Sequence, residues 1–79
     1  MRLDKYLKVS RLIKRRTVAN EACDAGRVLI NDRAAKAGAD VKVGDIISIG
    51  FGTKTVKVEV LSIAETVKKE QAEEMYRYV

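Results

Sequence analysis

The sequence predicts a small α+β domain, on three observations. Apolar residues recur at helical spacing over residues 2–25, and the period then shortens to two across residues 28–60. Beyond Ile63 the composition turns helix-forming again. The expected architecture is two N-terminal helices packed on a small antiparallel β-sheet, followed by a C-terminal helix. Residues 1–63 form the main unit, and 64–79 are a helical extension of the same domain. With 79 residues there is room for one domain and a thin core, since such a chain buries only about 60% of its unfolded surface.

The first helix is read over residues 2–9. Leu3, Tyr6 and Leu7 share one side of a helical wheel, while Arg2, Lys5 and Lys8 lie on the other. Ser10 ends this helix or caps the turn that follows, and Leu12 and Ile13 plug that turn into the core. The second helix runs from about Arg15 to Ala25, with Val18, Ala19, Ala22 and Cys23 as a stripe of small apolar side chains. Gly26 stands where a left-handed cap residue belongs.

Val28-Leu29-Ile30 is then a strand, Asn31-Asp32 a tight turn, and Arg33-Ala34-Ala35 the return. Residues 41–45 connect to a strand at Ile46–Ile49, and Gly50 and Gly52 mark a reversal around Phe51. Val56, Val58 and Val60 alternate with Lys57 and Glu59, the pattern of a half-buried strand. Thr66 is the expected N-cap of the last helix, which carries Val67, Ala72, Met75 and Val79 among charged residues. Met75, Tyr76 and Tyr78 cover the sheet or dock a protein partner, the first being favoured.

Charge is distributed unevenly. Arg2, Lys5, Lys8, Arg11, Lys14, Arg15 and Arg16 face only Asp4 within the first sixteen residues, for a formal +6. Residues 17–79 hold nine basic and ten acidic residues, for −1. A merely solvated face mixes signs, whereas clustered cations gain from counterion release on a polyanion. Arginine outranks lysine here, because its planar fork grips phosphate through two hydrogen bonds. Lys36 and Arg33, near the hairpin, extend the basic surface or are plain surface charges. Asp4 favours the positive end of the first helix or orients Arg2 or Arg16, with the first reading preferred.

Other function classes find little support. The chain has no histidine, the usual general base and the commonest zinc ligand, and neither a metal cluster nor a nucleotide loop is visible. No enzyme activity and no cofactor are expected. Cys23 is alone and lies on the apolar stripe, which makes it a packing residue in a reducing compartment. No apolar run approaches the ~20 residues that cross a bilayer, and no broad exposed apolar face suits a membrane surface. A cytoplasmic monomer is expected.

A family resemblance rests on an ordered set of residues. Arg2-Leu3-Asp4-Lys5-Tyr6-Leu7 opens the chain, with Arg16 and Ala19 on the second helix. Gly26-Arg27-Val28-Leu29-Ile30-Asn31, Ala35-Lys36 and Val41-Lys42-Val43-Gly44-Asp45-Ile46 follow. This resembles the S4 RNA-binding domain over roughly residues 2–49, which implies the S4-like (alpha-L) fold. Arg15 stands where S4 domains often carry Ser or Thr, and Asp32 where a glycine usually follows Asn31.

Lys14-Arg15-Arg16-Thr17 and the tail from Lys68 to Tyr76 are similar to the short, stand-alone S4 proteins of the RqcP group, relatives of the S4-type heat-shock protein. That resemblance implies a non-enzymatic factor of ribosome-associated quality control. It would bind the obstructed large ribosomal subunit between rRNA and peptidyl-tRNA, and support alanine tailing by a partner, RqcH. Carried over by position, Arg2 and Arg16 are the RNA-contacting arginines, with Lys5, Lys8, Arg11, Lys14, Arg15 and Lys36 as further candidates. The alternatives are a general S4-type rRNA- or tRNA-binding protein of ribosome assembly or the heat-shock response, or an accessory of an RNA-modifying enzyme.

Overall fold

A computed structural model describes residues 1–65 and 67–79. Helix α1 spans Leu3–Val9 and α2 spans Arg16–Asp24, each within a residue or two of its sequence-predicted bounds. Strands β1 (Val28–Ile30), β2 (Arg33–Ala34), β3 (Ile46–Phe51) and β4 (Lys54–Val60) follow. A single helical turn, α3 (Lys69–Ala72), leads through a 3-10 turn (Glu73–Met75) into β5 (Tyr76–Tyr78). The five strands are antiparallel throughout and ordered β2-β1-β3-β4-β5.

The β1–β2 hairpin turns on two residues with positive φ, Asn31 at 51° and Asp32 at 67°. That pair of signs is the mark of a type I′ turn, whose twist matches the strands. Asn31 also secures the turn to β3: its amide oxygen accepts the Ile46 N–H at 3.0 Å, and its amide nitrogen donates to Asp45 at 3.2 Å. Asp32 therefore serves where glycine is usual, and the turn type is settled by Asn31 rather than lost.

One core joins the layers. Val28, Ile47, Ile49, Val58 and Val60 meet Leu3, Tyr6, Leu7, Ile13, Ala19 and Cys23 from the helical side. On the small-residue stripe of α2, Ala19 and Cys23 are buried, but Val18 is 46% exposed and lies outside the core. Burial pushes the Cys23 thiol up to about 11, so it stays protonated and inert near neutral pH.

The C-terminal segment departs most from expectation. The expected C-terminal helix is present but short: four residues of α3 and a 3-10 turn, after which the chain continues as a strand. Tyr76 pairs with Val60, Arg77 with Glu59 and Tyr78 with Val58, so the open edge of β4 captures the tail. Backbone pairing and the Arg77–Glu59 ion pair at 2.7 Å outweigh the weak helix preference of so short a charged segment. The N-cap expected at Thr66 lies outside the described residues. Within this tail, Met75 is buried, and its carbonyl accepts the Tyr6 hydroxyl at 2.8 Å. The tail is thereby tied to α1.

Candidate nucleic-acid interface

The start of α1 is held by the loop that follows β2. The Leu3 and Asp4 amides, which have no partner within their own helix, donate to the carbonyls of Ala39 and Ala37 at 2.8 and 3.1 Å. Asp4 is then turned inward, with its side chain only 2% exposed. Its Oδ1 accepts the Lys5 N–H at 2.8 Å and Arg2 Nε at 3.3 Å. Its Oδ2 accepts Arg16 Nε at 3.2 Å and the Asn20 side-chain amide at 3.4 Å. Both sequence readings of Asp4 therefore hold in geometry, and the arginine-orienting one, ranked second, accounts for two of its four bonds.

The clamp leaves the arginines usable. Arg2 and Arg16 are 57% and 48% exposed, and each is gripped through Nε. Neither arginine pairs with a carboxylate other than Asp4 among the described residues. The Arg2 guanidinium lies over Gly38, where a Cβ would come within 3.8 Å of it. Two guanidiniums share one carboxylate, so the cluster keeps a net positive charge. Burial alone would raise the Asp4 pKa, but hydrogen bonds and charge from Arg16 and Arg2 outweigh it and hold the carboxyl below its ordinary range.

A second group of cations sits past the other end of α1. Ser10 closes the helix, its hydroxyl donating to the Leu7 carbonyl at 3.3 Å. Arg11 adopts φ 64°, a left-handed conformation that normally selects glycine after a helix. The Ile13 amide then donates to the Leu7 carbonyl at 3.1 Å, and the Ile13 side chain enters the core. This turn aims Arg11 and Lys14 outward, and they line one cleft with Lys8 and Glu65.

The predicted residues thus fall into sets. Arg2 and Arg16 gather on Asp4, and Lys36 flanks them one position before Ala37, whose carbonyl holds the Asp4 amide. Lys8, Arg11 and Lys14 converge at the far end. Lys5 lies between and is paired with Glu65, so it is the least available. Arg15 is exposed as the N-cap of α2, and no ion pair ties it to either group among the described residues.

Asn20 went unnoticed in the sequence, although its i, i+4 spacing from Arg16 on α2 was a usable signal. Gly38, Lys69 and Tyr76, which border the cationic surface from later in the chain, carried no such signal. The described residues include no cluster of His, Cys, Asp and Glu able to hold a metal, and no helix long and apolar enough to cross a membrane.

Comparison with known proteins places this geometry. A family model described as the S4 domain matches residues 1–47, which contain both helices, the clamp and the hairpin. The class is therefore that of S4-domain proteins. Two curated relatives, from Halalkalibacterium halodurans and Bacillus subtilis, are each described as an RQC P-site tRNA stabilizing factor. Each is 58% identical over 76 residues, covering 96% of this chain and 86% and 88% of the relatives. The chain belongs to the family of RQC P-site tRNA stabilizing factors, the RqcP group. Among solved structures, the trimeric Heat Shock Protein 15 of Vibrio cholerae superimposes with a TM-score of 0.92 at 28% identity, over 100% of this chain and 81% of that one.

Proposed function

We propose that this protein is a non-enzymatic RNA-binding factor that stabilises P-site tRNA in ribosome-associated quality control. It engages the large ribosomal subunit, with rRNA on one side and peptidyl-tRNA on the other, and supports alanine tailing of stalled chains by RqcH. The observation that carries the reading is the Asp4 clamp: a buried carboxylate that holds two exposed arginines, one capping α1 and one opening α2. Guanidinium forks held in place suit the sugar–phosphate backbone of folded RNA, whose deep major groove hides its base edges. Lys8, Arg11, Lys14, Arg15 and Lys36 supply additional phosphate contacts, and Lys5 joins them when it leaves Glu65. Residues 64–79 belong to the same domain, the protein acts as a monomer, and its work is cytoplasmic.

The test is a pull-down from cell lysate at low and moderate salt, with the bound RNAs sequenced. Large-subunit rRNA recovered together with tRNA, and without small-subunit rRNA, is the expected result. Large-subunit rRNA without tRNA would instead favour the second reading, a general S4-type binder of the heat-shock kind, which the likeness to Heat Shock Protein 15 supports. Arg16→Ala should weaken co-sedimentation with ribosomes and leave the circular dichroism spectrum unchanged. Light scattering of the free protein checks the monomer.

A further inference from the structure

The core face of the sheet runs on to the β5 edge. Tyr76 and Tyr78 stand opposite Val60 and Val58, so both rings project from the side that carries the buried valines. Tyr76 is half-buried, and Tyr78 is 68% exposed. The rings meet edge to face, with centroids 5.5 Å apart and planes at 88°. Tyr76 also packs against the core, while Tyr78 keeps flat aromatic surface free at the molecule's rim.

The pair adjoins the cationic surface. Tyr76 lines one cleft with Arg11, Lys14 and Lys69, and a neighbouring one with Tyr78; Glu73 borders both. The first cleft measures about 390 Å³, ample for a nucleobase. Three cations stand there against one carboxylate. Burial first, then the Tyr78 hydroxyl and the Glu73 carboxylate, push the Tyr76 phenol up to about 12, so the ring is uncharged.

We propose that this edge is a second RNA-binding site that takes an unpaired nucleotide, its base stacked on the Tyr76–Tyr78 pair and its phosphates on Arg11, Lys14 and Lys69. The proposal rests on the RNA-binding reading above and adds the class of RNA element the protein seeks. Aromatic faces beside clustered cations match the two halves of a nucleotide: stacking is indifferent to base identity, and the cations follow the backbone. Paired bases conceal their faces within the stack, so the occupant is a bulged, looped or terminal nucleotide.

Two RNAs test this by fluorescence anisotropy at fixed salt: a blunt duplex, and the same duplex with one bulged fluorescent aminopurine. The aminopurine signal should be quenched on binding. Tyr78→Ala should weaken the bulged RNA about fivefold or more and leave the duplex unaffected, with Tyr78→Phe behaving as the parent. Tyr78 is largely exposed, and a thermal melt of each variant confirms the fold. Equal losses on both RNAs, or no loss on either, would overturn the platform. Arg16→Ala in the same assay should weaken both RNAs. If it affects neither, the fault lies in the underlying RNA-binding assignment rather than in the tyrosines.

Discussion

At the scale of single residues, Asp4 separates geometry from bulk charge. Asp4→Asn raises the net charge by one, so a binding mode governed by charge alone would tighten. The clamp predicts weaker binding, because an amide turns one donor toward guanidinium groups that are themselves donors. Gel-shift titration of both proteins on one RNA decides between these outcomes. The substitution should also remove about 2 kcal/mol of stability, in the range of hydrogen bonds to charged partners.

The pH dependence has a definite sign. The Asp4 carboxyl in the folded protein lies below its ordinary value of 3.8. Its contribution is therefore complete above that value and is lost as pH falls through the lower folded one. Urea melts should show this loss in the parent and not in the Asn variant. Arg11 predicts a trade of a different kind. Its left-handed backbone costs on the order of 1 kcal/mol that glycine avoids. Arg11→Gly should accordingly raise the unfolding midpoint while lowering RNA affinity.

Among the elements, α1 depends on the tail. The Tyr6 hydroxyl is buried and donates to the Met75 carbonyl, which also accepts the amides of Leu61 and Ser62 at 2.8 and 3.2 Å. Tyr6→Phe leaves that carbonyl satisfied, so the loss should be about 1 kcal/mol, the net value of one hydrogen bond. Chemical denaturation measures it. Both N-terminal helices and β4 were legible in the sequence because their burial faces follow the local period, whereas β1 to β3 were marked by short apolar runs and the Asn31-Asp32 turn.

The C-terminal helix is present but ends earlier than expected, for a physical reason. Lys68 to Glu74 favour a helix in isolation, but Tyr-Arg-Tyr has a period of two, and only the free edge of β4 makes that decisive. The basic patch was visible as a charge imbalance. Its internal construction was not, since it needs α2 to bring Arg16 and Asn20 against Asp4. Nothing in the sequence marks Arg11 as left-handed, a position where arginine is not the preferred residue.

For the whole molecule, the useful count is of cations still free to meet phosphate. Lys5 is engaged with Glu65, and Arg2 and Arg16 together offset one carboxylate. Lys8, Arg11, Lys14, Arg15 and Lys36 are exposed without an ion pair among the described residues. With four to six of these groups on phosphates, log affinity against log salt should fall with a slope of about −3 to −5. A flat response in filter binding would contradict the electrostatic footprint. The Lys5–Glu65 pair is exposed on the acid's side, so it opens at little cost when a stronger anion arrives.

The tie between Tyr6 and Met75 bridges 69 positions, which has a consequence for how the protein comes into being. Translation releases the leading helix well before the carbonyl that anchors it. At roughly 5–20 residues per second, an emerging chain spends several seconds with that helix unmoored. The leading helix of a nascent copy thus stays without its anchor until Met75 emerges.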